Sequence, residues 1–281
     1  MTGVFLFMAD CREQVYSDEF FDFIVSYEET NEQTIAGTCI QRIDEGYDIF
    51  YYPREGLPPL SVGSYSYSEI PKCYGLLDQT ALEVSGILKM QNQPVLALKG
   101  RGVLIGFIDT GIDYTNPAFR YSDGSSRIVR IWDQTIQDGT PPVGILYGAD
   151  YTREQINAAL LSENPYDVVP SRDMNGHGTF LAGVACGSES ENGDFIGAAP
   201  QSEIIMVKLK EAKQYLRDFF FVKDGVPAYQ ENDIMMAVSY LNGVANILNR
   251  PLVICVALGN SAGRGKSTLC DQSEGNHACQ G

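Results

Sequence analysis

Positive charge is scarce in this sequence. Twenty Lys and Arg stand against 36 Asp and Glu, a formal net charge of −16 over 281 residues. Such a surface repels nucleic-acid phosphates and anionic lipid, so nucleic-acid and membrane partners are set aside. Long apolar runs are missing as well. The opening MTGVFLFMAD holds a short apolar stretch with no basic residue before it and closes on Asp10. It is too short to span a bilayer and lacks the form of a signal peptide. Cysteine occurs in an odd number, as Cys11, Cys39, Cys73, Cys186, Cys255, Cys270 and Cys279, mostly far apart. That pattern reads as reduced thiols rather than a disulfide framework, and the expected location is cytoplasmic. Internal repeats and low-complexity tracts are absent too. What is present is an ordinary core-forming composition, 44% hydrophobic and 20% charged, at a length that suits one large domain or a domain with a smaller companion.

Two regimes divide the chain. Residues 1–75 read as a small α/β unit and linker: FFDFIVSY (20–27) and YDIFYY (47–52) are strand-length aromatic and β-branched runs, and residues 53–75 are rich in Pro, Gly, Ser and Tyr. From about residue 100, continuous apolar runs suited to a parallel sheet covered on both faces appear: GVLIGFID (102–109), EIIMVKL (203–209) and PLVICVAL (251–258). Between the last two, residues 231–249 keep apolar side chains at 234, 237, 238, 241, 244, 245 and 248, one helical face, with Asp233 as its expected cap. Strand, helix, strand predicts right-handed βαβ units in a doubly wound, mostly parallel sheet with helices on both faces. Residues 120–172 break the rhythm and read as an insertion; Thr152 and Gln155 within it fit a capping box.

Two residues stand where such a sheet does chemistry. Asp109 ends an apolar strand and is followed by the turn Thr110-Gly111, at the carboxyl edge where open α/β sheets build their sites. A shielded carboxylate there can accept a hydrogen bond from an imidazole and fix its tautomer. His177, one of two histidines, lies between Gly176 and Gly178, ahead of a small-residue apolar helix. Taken singly, a turn-capping aspartate and an inert loop histidine are the ordinary readings of these residues.

Taken together, IDTGID (108–113), NGHGTFLAG (175–183), GAAPQSEIIMVKL (197–209) and RPLVICVALG (250–259) resemble four motifs of the subtilisin-like serine proteases, in that family's order, over residues 76–260. The second histidine of the usual G-H-G-T-H motif is Phe180 here, and Ala257-Leu258-Gly259 stands for the usual Ser-Leu-Gly. The resemblance implies an α/β subtilisin-like fold, incomplete here, and peptide-bond hydrolysis through an Asp/His/Ser triad. It implies Asp109 and His177 as catalytic residues, and Ala257, Leu258 and Gly259 as the substrate-binding edge. It further implies a propeptide within residues 1–75 or 1–98 and a polypeptide substrate, or that propeptide, in the cleft. No cofactor is implied. The wide spacing from Asp109 to His177 and YGLLDQTALEVSG (74–86) look most like bacterial intracellular and clostridial germination-type members, which carries spore association with it.

The family's nucleophile segment, G-T-S-x-A-x-P, does not occur in residues 1–281. Ser267 and Ser273 lack the small residues and proline that should follow, and Asn260 follows too early a strand to be assigned as the oxyanion asparagine. The expectation is a chain truncated before its nucleophile and inactive by itself; the alternative is a catalytically dead, protease-like binding protein. GRGKST (263–268) is no phosphate loop, because Asn260 sits where the first glycine belongs. Cys270, His277 and Cys279 lack the Cys-x-x-Cys turn of structural zinc sites, so no metal is expected, and residues 261–281 read as an atypical tail.

Overall fold

The computed structural model describes residues 11–26, 38–44, 46–76, 98–190 and 195–259. Asn260, Ser267, Ser273, the GRGKST stretch and Cys270, His277 and Cys279 lie outside the described residues, as does most of YGLLDQTALEVSG.

Three small strands come first: β1 (Phe20–Ser26), β2 (Cys39–Arg42) and β3 (Tyr47–Pro53), in the antiparallel order β1-β3-β2, beside helical residues 11–16. The thiol reading of the cysteines is corrected here. Pairing of β2 with β3 carries Cys39 against residues 11–16, and Cys11 and Cys39 are joined in a disulfide with their Cα atoms 5.5 Å apart. Cys73, Cys186 and Cys255 are free thiols. The expected linker is also more than a linker, for Ile70 is fully buried and β4 (Cys73–Leu76) begins within it.

The central sheet is built from β5 (Leu104–Asp109), β6 (Ile128–Asp133), β7 (Ala149–Thr152), β8 (Glu203–Lys208) and β10 (Leu252–Val256), in the order β10-β5-β8-β6-β7. All neighbours run parallel except β7, which lies antiparallel on β6 at the edge. Residues 120–172, expected as an insertion, therefore supply an inner strand. Arg130 within β6 is held by Asp150 of β7 at 2.7 Å, so the charge reaches a partner at the sheet's rim.

Every residue of β5 is buried, because both of its faces are covered. Leu104 and Ile108 share a core with α5 (Glu231–Leu248) through Tyr240, Leu241 and Val244. Ile105 and Phe107 share the opposite core with α1 (Arg153–Leu160) and α3 (His177–Cys186) through Ile156, Leu181 and Ala182. The two-residue alternation of a strand thus feeds two helix layers. The capping box of Thr152 and Gln155 opens α1 as expected. Two short helices, α2 (Pro165–Val168) and α4 (Gln214–Phe219), complete the described α-helices after residue 100. A third sheet is small and antiparallel, in the order β11-β4-β9, with β9 at Tyr229–Gln230 and β11 at Leu258–Gly259.

Asp233 does not cap α5; Gln230 occupies that place without a side-chain bond. Asp233 is instead fully buried, 2.6 Å from Lys210 Nζ, and accepts from the Tyr147 hydroxyl at 2.8 Å. A second buried pair holds the N-terminal sheet to the rest. Lys213 Nζ lies 2.5 Å from Asp22 Oδ1, and Gln230 and Asn232 donate to Asp22 Oδ2. Burial pushes the Lys213 ammonium below its ordinary value while Asp22 pulls it back up. Removing one charge strands the other in a dry interior. Asp22→Asn is expected to cost about 3–5 kcal/mol in urea unfolding, and Asp22→Leu combined with Lys213→Met to regain most of it. A loss below about 1 kcal/mol in the single variant would rank the pair with weak surface bridges.

Candidate active site

The carboxyl edge of β5 and the amino end of α3 meet at one point. Leu209 N donates to Asp109 O at 2.9 Å, which continues the β5–β8 pairing to the last residue of the strand and fixes Asp109 at its edge. His177 is the first residue of α3, and its Nδ1 lies 2.8 Å from Asp109 Oδ1. A carboxylate only accepts, so Nδ1 carries the hydrogen and Nε2 is the proton-accepting nitrogen. Thr110 N donates to the same Oδ1 at 2.7 Å, while Asp109 Oδ2 is buried with no hydrogen-bond partner among the described residues. The charge of Asp109 reaches further: burial and then Asp109 push up the Cys255 thiol, and burial followed by Asp109 does the same to the Tyr229 hydroxyl.

Glycine makes the approach possible. A Cβ on Gly178 would lie 2.2 Å from Gly111 O and 3.1 Å from Asp109 Oδ1, so a side chain there would drive the helix off the strand end. Gly176, the N-cap, has φ +87°, a left-handed conformation that glycine adopts without strain. It has no side chain with which to cap. Asp173 does that work instead. Its Oδ2 accepts from Thr179 N at 2.9 Å and Thr179 Oγ1 at 2.6 Å, and its Oδ1 accepts from Gly176 N at 2.8 Å and Thr110 Oγ1 at 2.9 Å. Thr110 Oγ1 in turn accepts from Gly178 N at 3.0 Å, and Thr179 Oγ1 from Asp113 N at 2.8 Å. Burial alone would raise the Asp173 carboxyl, but the hydrogen bonds from Thr179, Gly176 and Thr110 outweigh it and hold the group below its ordinary value. Sequence reasoning passed over Asp173; an aspartate three residues before a glycine N-cap was the available signal.

The motif residues Asp109 and His177 are thus in contact, both buried. Phe180, in place of the motif's second histidine, is 41% exposed. Ala257, Leu258 and Gly259 lie just beyond β10, whose Val256 pairs with Ile108, and so share the edge that holds Asp109. Leu258 and Gly259 pair with Leu76 and Gly75 of β4. On its other side β4 pairs Tyr74 with Tyr229 and Cys73 with Gln230. Residues 73–76 therefore run as the middle strand between β9 and β11.

A doubly wound sheet with an imidazole held by a carboxylate at its carboxyl edge defines an α/β protein whose candidate site lies where open sheets build them. Residues 100–279 match the subtilase family, peptidase S8, and the chain belongs to that family. It is 32% identical to the Arabidopsis thaliana subtilisin-like protease SBT2.2 over 125 residues, 39% of this chain and 15% of that protein. It is 28% identical to the intracellular serine protease of Paenibacillus polymyxa over 85 residues, 28% of this chain and 26% of that one. Among solved structures, the Clostridium perfringens CspB protease matches 65% of this chain with a TM-score of 0.52 and 34% identity, and 35% of CspB is covered. The chain spans well under half the length of these relatives.

Two substitutions test the junction. Gly178→Ala is expected to destabilise by about 1–3 kcal/mol or more through overpacking against backbone, read by urea unfolding. Asp173→Asn is expected to cost about 0.5–2 kcal/mol near pH 7, as loss of a helix cap does. Because the Asp173 carboxyl is held low in the folded chain, its contribution is present above the unfolded carboxylate value and fades as pH falls through the folded one. The gap between wild type and variant should stay constant above about pH 4 and narrow below it. A gap that widens on acidification overturns this assignment.

Proposed function

We propose that this chain supplies the aspartate and histidine of a serine endopeptidase triad, and that residues 1–281 alone do not hydrolyse peptide bonds. The observation that carries the reading is the 2.8 Å contact of His177 Nδ1 with Asp109 at the sheet's carboxyl edge. In this reading the imidazole takes the proton of a serine through Nε2 as the hydroxyl attacks the scissile carbonyl. Asp109 holds the tautomer and stabilises the imidazolium that forms, and the imidazolium then gives its proton to the leaving amine. The activating half of the machinery is complete. A hydroxyl in the family's nucleophile segment is absent from residues 1–281, so the pair has nothing to activate.

The placement of β4 supports a polypeptide in the cleft. An extended segment bonded through its main chain on both sides is how a strand-recognising site holds a peptide. Here residues 73–76 are extended and paired through the main chain, 73–74 with Tyr229–Gln230 and 75–76 with Leu258–Gly259. We read residues 1–75 as a propeptide whose end occupies the cleft, with Ala257, Leu258 and Gly259 as the edge that a substrate would share.

A fluorophosphonate probe for activated serines tests this on two chains: residues 1–281, and the same chain extended by the coding sequence that follows at its locus. Labelling of the extended chain alone is the expected result, and Asp109→Asn in that chain should lower its turnover by about 10⁴-fold. Labelling of residues 1–281 would overturn the inactivity. No labelling of an extended chain that is folded and freed of its N-terminal segment would favour a cleft that binds without cutting.

A further inference from the structure

The opposite end of the central sheet carries a second site. Arg101 lies just before β5, Arg127 immediately before β6, Glu203 opens β8 and Arg250 lies just before β10. They line a cleft of about 630 Å³ together with Arg120, Tyr121, Ser188 and Gln201. Since β5 runs from Leu104 to Asp109, this cleft and the Asp109–His177 contact are separated by the strand's length, about 17 Å.

The charge there runs against the rest of the molecule. The cleft sets four guanidiniums against the single Glu203 carboxylate, a local excess of three positive charges, in a chain of net charge −16. Glu203 is already committed. Its Oε1 holds Arg153 and accepts from the Tyr121 hydroxyl, and its Oε2 holds Arg250. Arg101, Arg120 and Arg127 have no carboxylate partner among the described residues. Arg127 is the telling one, at 2% exposure. Its Nη atoms are fixed by the carbonyls of Ser202, Ala118 and Cys186 and by Ser188 Oγ, which orient the guanidinium without neutralising it. Its Nε, like that of Arg120, is buried without a hydrogen-bond partner. A buried, unpaired cation beside unsatisfied donors is costly to keep unless an anion completes it.

We infer that this cleft is a binding site for a small multivalent oxyanion of the phosphate type, held by Arg101 and Arg120 and favoured by the buried charge of Arg127. Guanidinium forks match the paired oxygens of such a group, and Glu203, already shared by Arg153 and Arg250, leaves the charges of Arg101, Arg120 and Arg127 unbalanced. The cleft has the size of a small-molecule site rather than of a monatomic ion's. The phosphate group has two conceivable carriers, a free polyphosphate or a phosphorylated side chain of another protein, and the chemistry is common to both.

Calorimetric titration of the 281-residue chain with pyrophosphate, at ionic strength held constant with chloride, tests the site; a phosphoserine peptide serves as the second arm. Saturable binding is expected, weakened about tenfold or more in Arg101→Gln/Arg120→Gln. It should be unchanged in Arg42→Gln, whose exposed side chain pairs with Asp48 away from the cleft. Tighter binding of pyrophosphate assigns a free ligand, and tighter binding of the peptide a protein-borne one. Absence of saturation by about 10 mM, equal binding to the folded double variant, or an equal response to chloride alone would each overturn the proposal.

Discussion

Everything at the carboxyl edge depends on how closely the first turn of a helix can press against the end of a strand. Gly178 sets that distance. With only hydrogens on its Cα, the α3 backbone comes near enough for its amide to reach Thr110 Oγ1, and His177 arrives within hydrogen-bond range of Asp109 as a consequence. The contact would not persist on packing alone, because the helix start has unpaired amides. Asp173 closes that account by binding the turn, the helix and the Thr110 hydroxyl at once. One missing side chain and one supplied carboxylate therefore do together what neither would do separately.

The parts of this fold that announce themselves are those governed by local pattern. The apolar runs at β5 and β8 and the periodic face of α5 were legible because a strand buried on two faces and an amphipathic helix leave such traces, whereas β10, expected to be covered likewise, is an edge strand with Val253 and Val256 exposed. The contact of Asp109 with His177 was legible through motif resemblance; no spacing rule would have joined residues that far apart. What escaped was decided by non-local partners. β6 contains Arg130 and sits between turns, so it reads as a surface excursion, and only β8 and Asp150 make it an inner strand. Asp233 looks like a helix cap until Lys210 and Tyr147 arrive from elsewhere in the chain. The Cys11–Cys39 bond escaped likewise, since it is set by the pairing of β2 with β3 and not by cysteine count.

The acidic composition hides a sorted distribution of charge. Buried lysines are spent on single carboxylates, Lys213 on Asp22 and Lys210 on Asp233, where they lock the N-terminal sheet and α5 in place. Arginines gather at the amino ends of the parallel strands, around a glutamate too small in charge to balance them. Burial lowers the Arg127 guanidinium from its ordinary value. One end of the sheet thus holds an oriented imidazole and the other a cluster of positive charge, with the same strands spanning both.

The small sheet β11-β4-β9 has a geometric corollary. β9 pairs with residues 73–74 of β4 and β11 with residues 75–76, so no residue of β4 is paired with both. The two ladders therefore succeed one another along β4. Each half of the strand answers to a different segment of the chain, and a slip of β4 by one residue would break both registers together.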